Sequence, residues 1–141
     1  VARITPLYTE RTEVKLTALR AEKRLQHWRQ IVISACEQCG RNRLPEISTL
    51  VAVDAWLPSV EADRKFVLHH ESDVRTRDAQ KQPGYVALLV GPEGGLSADE
   101  IQAARDQGFT PICLGPRVLR TETAPLAALA ILQTHWGDLA F

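Results

Sequence analysis

Two runs in the second half of the chain, YVALLVG at residues 85–91 and TPICLG at residues 110–115, are apolar almost throughout and too short for buried helices. Unbroken apolar character over so few residues marks a strand covered on both faces, the condition of a parallel sheet. Between them Ser97 and Glu100 form a capping box, so the pattern predicts a helix from about Ala98 to Gly108, where glycine suits a helix C-terminus. After the second run, LAALAILQTHW predicts a helix that is apolar on most sides. Alternating strand and helix with apolar strands implies an α/β domain, with helices on both faces of a mostly parallel sheet. Ligands in such sheets bind beyond the carboxyl ends of the strands. Three loops qualify: those after Leu68–His70, after Val90 and after Leu114.

The first half is less sharply patterned. ARITPLY has the character of a short strand ending at Pro6 or shortly after, and Thr17 is placed to cap a long helix that runs to Gly40. Leu25, Trp28, Val32, Ala35 or Cys36, and Cys39 recur at helical spacing and predict one buried face. RNRLPE reads as a basic connector, Leu50–Leu57 as a short helix with Trp56 inward, RKFVLHH as a strand, and ESDVRTRDAQKQPG as a surface loop. No internal repeat, low-complexity tract or linker divides the 141 residues, and 45% apolar against 24% charged content fits one soluble domain with its own core.

Several function classes drop out. No apolar run reaches the ~18 residues of a membrane span and no signal-like segment opens the chain, so a cytoplasmic location without a membrane partner is expected. Cys36, Cys39 and Cys113 are too few for a disulfide scaffold. The C-x-x-C pair lacks the further ligands of a zinc site, so no metal is expected and both cysteines are read as small buried apolar residues. Net charge is zero but uneven: residues 1–45 carry nine Lys or Arg against four acids, and the remainder eight against thirteen. A basic half suits a phosphate backbone. A solvated helix face bearing Arg20, Lys23, Arg24 and Arg29 accounts for much of the same asymmetry.

GPEGGLSADE, residues 91–100, sets bare backbone directly before a helix. Its spacing fits neither the dinucleotide fingerprint nor the phosphate-binding loop, which needs a lysine. Exposed amides for a ligand without multiple phosphates remain. LGPRVLRTETAPLAAL repeats the layout: apolar strand, Gly-Pro, then Arg117, Arg120, Thr121, Glu122 and Thr123 before a helix. Two such loops leaving adjacent strands would face each other across one crevice. A pair of turns with capping residues is the other reading.

EQCGRNRLPE, LLVGPEGGLSADEI, the Gly108–Phe109 pair and LGPRVLRTETAPLAALAILQ, in that order, resemble the bacterial 16S rRNA (uracil-N3)-methyltransferase family of the SPOUT class, over essentially the whole chain. The resemblance implies a C-terminal deep trefoil knot, a rare exception to the rule against threaded chains. It also implies S-adenosylmethionine as cofactor, 16S rRNA or the small ribosomal subunit as substrate, and a homodimer formed through the knot and the last helix. Carried to this sequence, the cofactor residues are Leu68, His69, Gly91, Glu93, Gly94, Gly95, Leu114, Gly115, Leu119, Arg120, Thr121 and Thr123.

Methylation of a uridine ring nitrogen requires the imide to ionise, so donors to the flanking carbonyl oxygens are needed. Arg41, Arg43 and Arg120 stand at the matching positions, with Arg41 and Arg43 expected to act on the RNA rather than on the cofactor. The proton acceptor lies among Glu93, Glu122 and bulk water. Members of the family begin with a β-rich RNA-binding domain and then a strand and helix that this chain is expected to lack, so the fragment alone is expected not to methylate rRNA. A noncatalytic RNA-binding or assembly module retaining the knot is the alternative function.

Overall fold

The computed structural model describes residues 1–12, 18–70, 72 and 82–139. Strands β1 (Arg3–Ile4) and β2 (Leu7–Tyr8) precede helix α1 (Ala18–Cys39), and β3 (Glu46–Ile47) and β4 (Val51–Ala52) precede the short α2 (Val53–Trp56), which continues as a 3-10 turn over Leu57–Ser59. Then follow β5 (Arg64–Leu68), β6 (Val86–Leu89), α3 (Ala98–Asp106), β7 (Thr110–Ile112) and α4 (Ala124–Trp136). Thr17 and most of the 71–84 loop lie outside the described residues.

Every strand pairing is parallel, as the apolar runs predict, but the described strands form three small sheets rather than one: β1 with β3, β2 with β4, and β6-β5-β7. ARITPLY, read as one short strand, holds β1 and β2, whereas β3 and β4 escape pattern reading because two residues are too short to show a period: RNRLPE, read as a connector, ends in the first residue of β3, and β4 opens the segment read as a helix over Leu50–Leu57. A second difference concerns which strand is central. The charged-flanked RKFVL is the middle strand, while the more apolar VALL forms an edge on which only Leu89 is buried and Tyr85 and Val86 stay exposed. An apolar run states that a strand prefers cover, not where its neighbours lie.

Both faces of β5 are used, because successive strand side chains point to opposite sides. Val67 joins a core with Val53, Leu57, Leu89, Leu96, Ile101, Ala104 and Phe109, which knits α2, β6 and α3 together, and Trp56 packs against this cluster with its ring 5.8 Å from that of Phe109. Phe66 instead stacks on Trp136 at the end of α4, centroids 6.2 Å apart.

The helix ends follow their local code. Gly40 (φ 71°) and Gly108 (φ 81°) take the left-handed conformation, and Arg41 N–H and Phe109 N–H reach back to the carbonyls of Cys36 and Ala104, closing α1 and α3 in the same way. Along α1 the predicted stripe of Leu25, Trp28 and Val32 is only half-buried and Cys36 alone is fully buried. Cys39, expected inside, is exposed, with its thiol directed at the Cys36 carbonyl (3.7 Å).

Candidate functional site

The carboxyl ends of β6, β5 and β7 open onto one cleft of about 260 Å³. The sheet order changes its expected design. The two Gly-Pro loops leave β6 and β7, which are not neighbours, since β5 runs between them. Leu68 and His69, at the end of β5, therefore lie between the two loops instead of forming a third edge. His69 continues the ladder through its N–H to the Ile112 carbonyl (2.9 Å), and Ser72 beyond it donates to the Pro111 carbonyl (2.7 Å).

The first wall is the Gly91–Leu96 loop. Gly95 N–H donates to the Pro92 carbonyl (2.8 Å), and Gly95 has φ 71°, a conformation that disfavours side chains with a Cβ. A Cβ on Gly91 would stand 3.0 Å from the Leu96 nitrogen, so this glycine is bare because the loop folds over itself. Immediately after it, Ser97 accepts from Glu100 N–H (3.3 Å) and Glu100 accepts from Ser97 N–H (2.8 Å), the capping box read in the sequence. The second carboxylate oxygen of Glu100 accepts from Glu10 N–H (2.7 Å). One buried carboxylate thus fixes the helix start and ties it to the segment after β2.

That segment brings in a residue that no sequence pattern marks. Arg11 lines the cleft and its Nη1 donates to the Gly94 carbonyl (2.8 Å). Eighty-three positions separate the two residues, so no local spacing reveals the pair.

The opposite wall is formed by Leu114, Gly115, Arg117, Val118, Leu119 and Thr121. Gly115 has φ 121°, again in the region reserved for glycine. Ten of the twelve expected cofactor residues line the cleft: Leu68, His69, Gly91, Glu93, Gly94, Gly95, Leu114, Gly115, Leu119 and Thr121. Arg120 and Thr123 are not in the lining. Arg120 is exposed and 4.0 Å from the carboxylate of the equally exposed Glu122, while Thr123 N–H turns back to the Arg120 carbonyl as α4 begins. Val90, Ile112, Cys113 and Ala124 also line the cleft; all four fall in runs singled out in the sequence, but none was a candidate site residue.

Arg41 and Arg43 stand outside the lining. The Arg41 guanidinium bridges the Arg43 carbonyl (2.9 Å) and the Val1 carbonyl (2.8 Å), bracing the connector against the strand that pairs with it. Among the described residues no group of three or more His, Cys, Asp and Glu is placed to hold a metal, and no helix is long and apolar enough to cross a membrane. On α4 only Ala128 is buried, and Leu126 and Ile131 face outward.

The lining is thus mostly apolar side chains and main chain, with Arg11, Arg117, Glu93, His69, His70 and Thr121 as its polar members. It suits a ligand with apolar and hydrogen-bonding parts rather than a polyphosphate. Residues 1–133 match the family model described as an RNA methyltransferase domain. The chain is 41% identical over 138 residues to the ribosomal RNA small subunit methyltransferase E of Buchnera aphidicola, covering 97% of this chain and 56% of that protein. It is similar in structure to a putative methyltransferase from Legionella pneumophila in complex with the bound cofactor SAM (TM-score 0.95, 47% identity, 99% of this chain and 57% of that one). A ribosomal RNA small subunit methyltransferase E from Neisseria gonorrhoeae bound to S-adenosyl methionine is also similar (TM-score 0.90, 42% identity, 99% and 57%). The chain spans a little over half the length of these relatives.

Proposed function

Because the chain belongs to the RNA methyltransferase domain family, we propose that it binds S-adenosylmethionine between its two Gly-Pro loops and directs the methyl group to N3 of a uridine in 16S rRNA. The observation that carries this reading is the convergence of three strand ends on one cleft that gathers ten of the twelve residues expected to hold the cofactor. Two solved structures of similar fold hold that cofactor bound. SPOUT-class threading of the chain through a C-terminal knot belongs to the same proposal, as does a homodimer seam on α4, supported by its outward Leu126 and Ile131.

S-adenosylmethionine, when bound, supplies an electrophilic methyl on a sulfonium centre. The residues of the chain do the rest. The Gly94–Gly95 backbone lets a ligand approach the main chain without a side chain in the way. Leu68, Leu114 and Leu119 exclude water from an apolar ligand part. Of the two candidate proton acceptors, Glu93 is the one in the lining, and Glu122 is paired with Arg120 at its rim. Arg41 and Arg43 are assigned to the RNA, since neither reaches the cleft.

Calorimetry with S-adenosylmethionine and transfer of labelled methyl to small ribosomal subunits test the two halves separately. The chain by itself is expected to bind, and transfer is expected once it is joined to the RNA-binding domain, strand and helix that the resemblance implies. Binding without transfer by that joined protein would leave a noncatalytic RNA-binding module, and failure to bind would end the proposal.

A further inference from the structure

Arg11 enters the cleft from outside the three strand-end loops and is held there with unusual care. The segment leading to it is anchored by the pairing of β2 with β4, turned by Thr12 N–H onto the Thr9 carbonyl (3.1 Å), reinforced by Thr9 N–H onto Thr12 Oγ1 (3.0 Å), and fixed by Glu10 N–H on the Glu100 carboxylate. Its stem fits against Gly94: a Cβ there would lie 3.3 Å from Arg11 Cβ. Gly94 does not have the positive φ of Gly95, so its lack of a side chain is explained by Arg11. A guanidinium has five N–H donors in a rigid plane. One nitrogen is committed to Gly94 O, and among the described residues Arg11 has no other hydrogen-bond or ion-pair partner.

Uridine N3 is flanked by two carbonyl oxygens, and loss of its proton places negative charge on both. A fixed planar fork at the cleft is suited to that anion. Arg120 is not so placed: both arginines are exposed, but Arg120 lies outside the lining, 4.0 Å from the Glu122 carboxylate. We propose that Arg11 contacts the target pyrimidine and stabilises its ionised imide, while its Gly94 bond aligns it with the glycine loop. This rests on the methyltransferase reading above. In the step it serves, the N3 proton leaves to Glu93 or water, the freed N3 electron pair takes the methyl carbon, and the C–S pair stays on sulfur as a neutral thioether. Arg11 gains and loses nothing.

The test uses the protein joined to the RNA-binding domain, strand and helix that the resemblance implies, and compares it with its Arg11→Ala, Arg11→Lys and Gly94→Ala variants on small ribosomal subunits at saturating cofactor. Arg11→Ala should lower kcat on the order of 100-fold while its affinity for S-adenosylmethionine by calorimetry stays within about threefold, the pattern of an interaction made with the reacting base. The deficit should shrink as pH rises, because the base then ionises unaided whereas arginine stays charged throughout. A direct readout needs no turnover: the ultraviolet change of imide ionisation in a bound uridine oligonucleotide should occur at lower pH with the wild-type protein than with Arg11→Ala. Arg11→Lys should recover part of the loss, and Gly94→Ala, which keeps the arginine but displaces it, should reproduce part of it. A fall in cofactor affinity parallel to activity would reduce Arg11 to a loop latch, and undiminished turnover in Arg11→Ala would remove its role. A wild-type protein that transfers no methyl would overturn the functional reading itself and this assignment with it.

Discussion

The two walls of the cleft begin from the same sequence layout, an apolar strand, Gly-Pro and then a helix, and end as different structures. The Gly91–Leu96 wall runs into buried Leu96 and Ser97, a capping box and the Glu100 link to Glu10. The Gly115–Thr123 wall leaves Pro116, Arg117, Val118 and Arg120 exposed, and α4 starts at Thr123 with no side-chain cap. What separates them is not the loop sequence but what lies over it. A segment from the start of the chain packs on the first loop, and among the described residues nothing comparable is bonded to the second. A shared local motif thus serves as a braced wall on one side and an open lip on the other.

If the bracing is what distinguishes the walls, removing its centre should have the largest effect. Glu100→Ala strips the acceptor from Ser97 N–H and Glu10 N–H in a buried setting, and is expected to cost about 3 kcal/mol in urea unfolding. A loss below about 1 kcal/mol would mean that the first wall stands without its carboxylate, given that ordinary exposed substitutions stay under that size.

Gly95→Ala should follow, at about 1–2 kcal/mol, because φ 71° opposes any Cβ. Thermal unfolding alongside cofactor calorimetry sharpens the point: this glycine is required first by the backbone, so part of any affinity loss should track the loss of stability.

The lip should register least. Arg120→Ala breaks only an exposed 4.0 Å ion pair, and its stability is expected to stay within about 0.5 kcal/mol of wild type. A larger destabilisation would place hidden support beneath the second loop and dissolve the contrast between the walls.

Much of this molecule was legible along the chain. The capping box of Ser97 and Glu100, the glycine stops at Gly40 and Gly108 and the parallel character of the apolar strands were readable because each depends on side chains a few positions apart, while most of the cleft residues came only through the family resemblance. The elements that escaped share a different property. β3 and β4 exist only because β1 and β2 lie beside them. Cys36 is buried and Cys39 exposed within one turn of α1, and VALL is an edge because the charged-flanked RKFVL took the middle.

The sequence determined the local codes: where helices start and stop, which runs seek cover, and which loops must be bare. Only the tertiary structure decided that β5 stands between the two Gly-Pro loops, that Arg120 stays out of the cleft lining and that Arg11 joins it. The physical reason is range. Caps and periodicity are set by hydrogen bonds within about one helical turn, whereas the Arg11–Gly94 and Glu10–Glu100 bonds join residues 83 and 90 positions apart and come into being only when the core has brought their segments together.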